Sequence, residues 1–180
     1  MRIVVTGTSG AGKTTFAREI ARRLDMPHIE LDAINWQPGW RDLQRHDPAE
    51  FVRRVTEAVQ PEAWVADGNY GIVHDTLWPR ATHLVWLDYE RPVIMVRVIA
   101  RSFRRVVLRN EIWAGTGNIE RWHSLMSPSH PIRWAWSTWS RLRRETGERL
   151  RRPEFSQLVV LRLRRPREAR AAMELLTRRS

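Results

Sequence analysis

The sequence predicts an α/β domain built on a parallel sheet. Short apolar or β-branched runs alternate with stretches whose apolar residues recur at helical spacing, as in consecutive βαβ units. The chain has 180 residues, the size of one domain with its own buried core. Neither an internal repeat nor a low-complexity linker divides it. We therefore expect a single domain over residues 1–180, with helices on both faces of the sheet.

Five strands are predicted from the apolar runs. They are expected at Arg2–Thr6, His28–Leu31, Trp64–Ala66, His83–Leu87 and Leu158–Leu163. The first strand leads into a glycine-rich turn, and three of the others are followed by an aspartate, namely Asp32, Asp67 and Asp88. Because parallel strands end at one edge of the sheet, these side chains are candidates for a common site.

Helical spacing of apolar residues predicts the remaining elements. Helices are expected over residues 13–24, from Pro48 after the capping residue Asp47, from Pro92 to about Arg109, and over Pro166–Leu176. A further helical stripe predicts a core-facing helix and comprises Ile132, Ala135, Trp136, Trp139 and Leu142. Between these last elements, residues 110–130 are interrupted by glycine and proline, and we expect an irregular, mobile loop there.

Composition excludes several classes of protein. The chain has no cysteine, which excludes disulfides, cysteine-ligated zinc and a thiol nucleophile. It contains no apolar run of about 18 residues, so no membrane span or membrane partner is expected. The first apolar run ends in a glycine-rich turn rather than continuing as a signal peptide would. The six histidines have no metal-ligand spacing, and His28, His83 and His123 are expected to pack or hydrogen-bond locally. We expect a cytoplasmic protein.

Positive charge is confined to the second half of the chain. Residues 1–90 hold 10 basic and 13 acidic side chains, whereas residues 91–180 hold 21 basic and 7 acidic ones. Lys13 is the only lysine, and the other 30 basic residues are arginine. This asymmetry indicates an anionic ligand or partner, although solvated arginine-rich faces would give the same composition.

The glycine-rich turn has the complete pattern G-x-x-x-x-G-K-[ST] between a predicted strand and a predicted helix. Its backbone amides and the helix N-terminus suit the phosphates of ATP. The expected nucleotide-binding residues are Gly7, Thr8, Ser9, Gly10, Ala11, Gly12, Lys13, Thr14 and Thr15. We expect the Lys13 ammonium to reach the β- and γ-phosphates and the Thr14 hydroxyl to ligand Mg²⁺.

The carboxylates at the strand ends have distinct expected roles. Asp32 is placed to orient or deprotonate an acceptor hydroxyl, and Asp67 to hold Mg²⁺ through water, although each could equally cap a helix or a loop. Spacing alone favours Asp88 as the magnesium carboxylate, because it ends the most apolar run, Leu84–Leu87.

A family resemblance chooses between these aspartates. The chain resembles the adenylate-kinase-like P-loop kinases in five segments. They are the phosphate loop, His28-Ile29-Glu30-Leu31-Asp32, Trp36-Gln37-Pro38-Gly39-Trp40, Asp67-Gly68-Asn69-Tyr70 and the later arginine-rich segment. Within that branch they resemble the bacterial topology modulation proteins. The resemblance covers residues 1 to about 110 and implies a P-loop NTPase fold with strand order 2-3-1-4-5 and a small lid. It also implies that Asp67 carries the magnesium-linked acid.

One departure from the resembled family concerns the acceptor. Adenylate kinases follow this Asp-Gly pair with Phe-Pro-Arg, whereas this chain has Asn69-Tyr70. The arginine for the phosphate of AMP is therefore missing at that position. An acceptor other than a nucleoside monophosphate is expected.

An arginine stripe lies on the helix that follows the fourth strand. Arg97, Arg101, Arg105 and Arg109 recur every four residues, with Arg104 beside them, and a second face carries Val96, Ala100, Phe103 and Val107. The resemblance implies a lid over about residues 97–130, with Arg101 and Arg105 as the catalytic arginines that close on the phosphates. A solvated or acid-paired surface is the alternative.

The tryptophans allow two interpretations. Trp36 and Trp40 could stack on an acceptor ring or pack in the interior. In the last helical stripe, Arg133, Trp134, Arg141, Arg143 and Arg144 could cover a core edge or bind nucleic acid.

These observations predict ATP- and Mg²⁺-dependent phosphoryl transfer to a small-molecule acceptor, with Lys13, Asp32, Arg101 and Arg105 in the catalytic set and Thr14 and Asp67 at the metal. The leading alternative is a nucleotide-switched P-loop ATPase that regulates DNA or RNA by binding it. A third possibility is an ATPase in which water replaces the acceptor.

Overall fold

A computed structural model describes residues 1–122 and 130–178 of the chain. Its strands are β1 (Arg2–Gly7), β2 (His28–Glu30), β3 (Trp36–Gln37), β4 (Arg41–Asp42), β5 (Trp64–Asp67), β6 (His83–Leu87) and β7 (Val159–Leu163). Its helices are α1 (Lys13–Arg23), α2 (Leu31–Asn35), α3 (Leu43–His46), α4 (Pro48–Ala58), α5 (His74–Leu77), α6 (Arg91–Leu108), α7 (Pro131–Arg149) and α8 (Glu168–Arg178). Within the described ranges, no helix has both the length and the apolar character to cross a membrane.

Five parallel strands form the main sheet, in the order β2-β5-β1-β6-β7. In β1, Val5 lies opposite Asp67 of β5 and Val85 of β6, so all the carboxyl ends lie at one edge. Strands β3 and β4 form a separate two-stranded sheet, so the later strands of the main sheet carry higher numbers than in the predicted order. When they are set aside, the order is 2-3-1-4-5, and the predicted α/β class with a parallel sheet is confirmed.

Alternation along the central strands divides the core between the two faces of the sheet. Ile3 and Val5 pack with the apolar sides of α1, α6 and α8, whereas Val4 packs on the opposite face with α4 and α5. Side chains that alternate along a strand point to opposite faces, so a strand buried on both faces must be apolar throughout. Helices therefore cover both faces, as expected.

The β3–β4 hairpin and the short helices α2, α3 and α5 were not predicted. Each hairpin strand has two residues, too short to leave an alternation in the sequence. Gly39 turns the hairpin with φ of 72°, a left-handed conformation that glycine adopts without strain. The hairpin follows α2 directly and lies beside the edge strand β2.

The described part of the predicted 110–130 loop is docked on the hairpin. Asn118 is buried; its Oδ1 accepts from the Trp40 amide at 2.9 Å, and its Nδ2 donates to the Gln37 carbonyl at 3.0 Å. Glu111 and Ile119 form an antiparallel bridge that closes this segment on itself. The described residues 110–122 are irregular, as expected, and their mobility stays a prediction. His123 and Pro128 lie outside the described residues.

Helix α7 confirms one part of the predicted stripe and corrects another. Ala135 is fully buried and Trp139 packs at the core edge, but Trp136 is 57% exposed. One residue advances a helix by about 100°, so Trp136 turns away from the face that Ala135 buries. The Arg91 guanidinium lies over both indoles, at 4.8 Å from the Trp136 ring centre and 5.1 Å from that of Trp139.

Many arginines of the basic half face carboxylates. The pairs in the described residues include Arg141–Glu145, Arg143–Asp88, Arg144–Glu148, Arg149–Asp75, Arg162–Asp88 and Arg170–Glu174. Apart from the two pairs of the buried Asp88, such exposed pairs contribute little to stability. The six arginines named are a minority of the 21 basic residues in this half, so most of its positive excess is not accounted for by these pairs.

His74 predicts a dependence of stability on pH. Burial, together with the nearby Arg149, lowers its pKa from 6.5 to about 4. The unfolded chain therefore binds a proton before the folded chain does, so stability is complete above pH 6.5 and falls as the pH drops towards 4. We expect His74 to remove about 2 kcal/mol between pH 7 and pH 5.

His74→Phe keeps an aromatic ring against Trp78 and removes the titrating group. Urea denaturation at the two pH values should show a smaller acid loss in this variant than in the parent chain. His46→Gln, at an exposed site, serves as the control. An unchanged acid loss in His74→Phe would contradict the assignment.

Candidate active site at the carboxyl edge of the sheet

The predicted phosphate loop joins β1 to α1 at the carboxyl edge of the sheet. Gly12 has φ of 93° at the start of α1, and no side chain caps this helix, so its first amides are available to an anion. Gly10 has φ of 87° and lies under α6, where an added Cβ would come within 2.9 Å of the Val98 Cβ. Glycine is therefore required at position 10 by conformation and by space.

Lys13 lies in the first turn of α1 and folds back over the loop. Its Nζ donates to the Thr8 carbonyl at 3.3 Å. Burial lowers the pKa of this ammonium, and the carboxylates of Asp32 and Asp67 oppose that shift. The loop cation thus lies within electrostatic reach of both predicted carboxylates.

Asp67 ends β5 beside the loop and is almost completely buried. The Thr14 hydroxyl donates to its Oδ2 at 2.7 Å, and the His28 Nε2 donates to its Oδ1 at 2.7 Å. The hydroxyl and carboxylate oxygens together form a hard donor set that suits Mg²⁺. Among residues 1–122 and 130–178, this site included, no group of three or more His, Asp or Glu side chains could hold a metal ion. A divalent ion at Thr14 and Asp67 would therefore take its other ligands from phosphate and water.

His28 was expected only to pack or hydrogen-bond locally. It does hydrogen-bond, but its partner is the carboxylate at the predicted metal position. Register explains the contact, because β2 pairs with β5 and places His28 opposite Val65, two residues from Asp67. Position in the chain could not reveal this pair, since 39 residues separate its members.

Asp88, the alternative magnesium carboxylate, is occupied by arginines. Arg143 Nε lies 2.9 Å from its Oδ1, and Arg162 donates to its Oδ2 from Nε at 2.8 Å and from Nη2 at 2.6 Å. A carboxylate held by two guanidinium groups is already charge-compensated. The geometry favours Asp67 over Asp88 at the loop.

Asp32 lies in the first turn of α2, immediately after β2. Its Oδ1 accepts a hydrogen bond from the Tyr70 hydroxyl at 2.6 Å. Burial raises the pKa of Tyr70, and the charge of Asp32 raises it further, so the phenol remains a donor. Tyr70 lies in the Asn69-Tyr70 segment, where this chain differs from the Phe-Pro-Arg of adenylate kinases. A residue that the resembled family lacks at this position therefore hydrogen-bonds the predicted acceptor base. Sequence reasoning missed this contact.

The arginines of α6 divide between the phosphate loop and a buried glutamate. Arg97 Nη1 donates to the Ala11 carbonyl at 3.1 Å, and Arg101 Nη2 donates to the Ser9 hydroxyl at 3.1 Å. Arg105 instead faces Glu120 at 3.8 Å, so the structure does not bring it to the loop. The sequence predicted Arg101 and Arg105 together; of these two, only Arg101 contacts the loop, and the catalytic roles of both stay predictions.

Arg101 is the arginine most deeply placed at the loop. Burial, together with the charge of the neighbouring Arg105, lowers its pKa to about 10. Its Nε is buried and has no hydrogen-bond partner in the described part of the chain. Because buried donors are rarely left unpaired, this group points to an anionic ligand at the loop.

The second face predicted for α6 is exposed. Val96, Phe103 and Val107 are 69%, 56% and 55% accessible. The buried face is instead the adjacent series Ile94, Val98, Ser102 and Val106. The arginine stripe borders this buried face, and for that reason Arg97 and Arg101 reach the loop.

Three tryptophans cluster beside β2. Trp36 and Trp40 have ring centres 5.9 Å apart, and Trp40 lies 6.0 Å from Trp113, both in edge-on arrangements. Trp113 Nε1 donates to Glu30 Oε1 at 3.0 Å. Neither Trp113 nor Glu30 was predicted as a site residue, although Glu30 precedes Asp32 by two residues at the end of a strand.

Comparison with known proteins supports a P-loop kinase. Residues 3–109 match the protein family described as an AAA domain. A shikimate kinase of Rhodopirellula baltica is 26% identical over 53% of this chain and 58% of its own length. One of Bacteroides thetaiotaomicron is 36% identical over 31% of this chain and 42% of its own length. The chain thus spans about half the length of these curated relatives.

Solved structures extend the likeness of fold to nearly the whole chain. The shikimate kinase from Acinetobacter baumannii in complex with shikimate has a TM-score of 0.54 at 17% identity, over 97% of this chain and 89% of that one. A sugar kinase from Janibacter has a TM-score of 0.51 at 21% identity, over 99% and 90%. The fold is that of the P-loop kinases, and by the match over residues 3–109 the chain belongs to the AAA domain family.

Proposed function

We propose that this protein transfers the γ-phosphoryl group of ATP, with Mg²⁺, to a hydroxyl of a small-molecule acceptor. The observation that carries the proposal is the position of Lys13, which lies in a complete phosphate loop within electrostatic reach of Asp32 and Asp67. One sheet edge thus holds a phosphate cradle, an oxygen pair for a metal and a separate carboxylate. The shikimate kinase relatives support the same reaction class.

The donor side of the site is the phosphate loop. Its backbone amides, from Gly7 to Thr15, bind the phosphates, and Lys13 neutralises charge as the phosphoryl group moves. Mg²⁺ at Thr14 and Asp67 would withdraw charge from the phosphate oxygens. His28 holds the Asp67 carboxylate in place through its 2.7 Å hydrogen bond. Arg101 supplies a buried positive charge from α6.

The acceptor side is centred on Asp32. The acceptor hydroxyl gives its proton to the Asp32 carboxylate while its oxygen forms a bond to the γ-phosphorus. The bond from that phosphorus to the bridging oxygen breaks, and ADP leaves with the electron pair. Tyr70 orients Asp32 by donating to its other oxygen. Most of the catalytic effect is positioning and charge neutralisation.

The lid assignment for residues 97–130 and the likeness to topology modulation proteins remain part of this proposal. Arg105 is proposed to stay with Glu120 in the absence of nucleotide. The nucleic-acid alternative gains no support from the kinase relatives, and three of the arginines that suggested it, Arg141, Arg143 and Arg144, face carboxylates.

Lys13→Ala tests the proposal most directly. We expect the rate of ATP-dependent phosphoryl transfer to fall at least about 100-fold, because the γ-phosphoryl charge loses its ammonium. The acceptor is found by screening sugars, polyols, nucleosides and carboxylate-bearing polyols such as shikimate for phosphorylated products by mass spectrometry. An unchanged melting temperature shows that the fold is retained. Equal turnover by the variant would refute the assignment.

Asp67→Asn and Asp88→Asn form a matched pair at the ends of β5 and β6, the two strands that flank β1. Asp67→Asn should shift the Mg²⁺ dependence of turnover to higher Mg²⁺ concentration, because the ion loses a charged ligand. Asp88→Asn should leave that dependence intact but lower the free energy of unfolding by about 2–3 kcal/mol, since two guanidinium groups lose their carboxylate. Magnesium titrations of the rate, with denaturant unfolding, separate the two. The reverse pattern would assign the metal to Asp88.

Tyr70→Phe tests the positioning of Asp32. Loss of a hydrogen bond to a charged group should lower kcat about tenfold. The KM for ATP should stay unchanged, because Tyr70 does not contact the phosphate loop. A general structural defect would instead lower the melting temperature of the variant and raise its KM for ATP.

A further inference from the structure

We infer that the acceptor is a polyhydroxylated molecule that carries no carboxylate or phosphate group. The inference rests on the proposed function, which places the acceptor beside Asp32. It follows from the separation of charge across the site. Lys13, Arg97 and Arg101 contact the phosphate loop, whereas Glu30 and Asp32 lie on the acceptor side. It also follows from the aromatic cluster that adjoins those carboxylates.

Three carboxylates lie within electrostatic reach of the Lys13 ammonium, namely Glu30, Asp32 and Asp67. Glu30 also lies opposite Asp67 where β2 pairs with β5. Burial raises the pKa of Glu30, and the charges of Asp67 and Asp32 also raise it. The hydrogen bond from Trp113 opposes this shift. Additional negative charge is therefore unfavourable in this region. One metal ion at Asp67 would leave Glu30 and Asp32 as the charges nearest the acceptor.

Two arginines of α6 and the lysine at this edge are directed to the donor side. Lys13, Arg97 and Arg101 donate to Thr8, Ala11 and Ser9 of the phosphate loop respectively. The buried, unpartnered Nε of Arg101 lies in the same group. These cations match the charge of a bound triphosphate and are not free for an anionic acceptor.

The arginines near the acceptor side have other partners or another orientation. Arg18 lies 3.6 Å from Glu30, and Arg54 donates to Glu50 and to the side chain of Gln37. Arg41 is exposed and lies opposite Gln37 in the hairpin register. Opposed residues of an antiparallel pair project to the same face, so Arg41 shares the face that Gln37 presents to α4.

The tryptophans supply the complementary surface. Trp113 reaches Glu30 from the 111–120 segment, and Trp40 connects it to Trp36 in the hairpin. Asn118 bonds that segment to the hairpin, so the cluster is held without a ligand. Indole rings pack on the C–H faces of a polyol, and carboxylates accept hydrogen bonds from its hydroxyls. This combination suits a neutral sugar or sugar alcohol.

Matched acceptor pairs test the inference. Sugar alcohols and free sugars of four to six carbons are compared with the aldonates of the same chain length, with ATP and Mg²⁺ saturating. We expect kcat/KM for the neutral member to exceed that for the aldonate at least about tenfold, because the aldonate places like charge beside Glu30 and Asp32. Phosphorylated products are identified by mass spectrometry.

Glu30→Gln tests the cause of the discrimination. The amide keeps an oxygen for Trp113 and removes the charge, so the neutral-to-aldonate ratio should fall at least about threefold. Glu57→Gln, on the exposed surface of α4, is the matched control and should leave the ratio unchanged. The ratio in the parent chain tests the inference independently, even where the Glu30 variant does not fold.

The outcomes separate this inference from the proposed function. Preference for aldonates, or phosphorylation of no neutral member, overturns the inference. Lys13-dependent phosphorylation of any other acceptor then leaves the kinase assignment in place. If no compound is phosphorylated and a fluorescent ATP analogue does not bind, both fail. A neutral preference that is lost in Glu30→Gln but retained in Glu57→Gln supports both.

Discussion

The close contact between α6 and the phosphate loop at Gly10 determines the geometry of the site. Val98 lies where a side chain at position 10 would be, and this approach aligns the next turn of the helix with the loop. Arg97 and Arg101 reach loop oxygens only because the helix axis lies so near. The contact joins β1, the phosphate loop and α1 to α6, the helix that follows β6. Any substitution that separates them removes positive charge from the phosphates as well as packing.

Positive and negative side chains lie on opposite sides of Asp67. On one side, α6 and the loop provide cations for a nucleotide; on the other, β2 and the hairpin provide carboxylates and indoles. Asp67 lies between them, held by Thr14 from the loop and by His28 from β2. The same carboxylate thus connects the edge strand of the acceptor side to the first helix of the donor side. Such a division allows the acceptor side to vary while the donor side is kept.

The sequence predicts the regular parts of this protein well and the contacts between distant segments poorly. The five sheet strands, the phosphate loop and α1, α4, α6 and α8 follow from local periodicity and capping. The hairpin, the docked 111–120 segment and the pairs Tyr70–Asp32 and Trp113–Glu30 depend on tertiary register, which periodicity does not encode. Trp136 was misplaced because a repeat fixes a helix face but not which neighbour that face meets. Arg105 faces Glu120 in this structure, and its catalytic role stays a prediction. The pairing of Asp88 with Arg143 and Arg162 could not be predicted either, because it also depends on tertiary contacts.

The arginine-rich composition has a practical consequence for the phosphate loop. With one lysine among 180 residues, amine-directed chemistry has a single side-chain target, and that target lies where the γ-phosphate is proposed to bind. Burial lowers the pKa of the Lys13 ammonium, which increases the fraction of the reactive free amine. Acylation of this side chain therefore reports directly on occupancy of the loop. A nucleotide would protect it, and a ligand confined to the acceptor side would not.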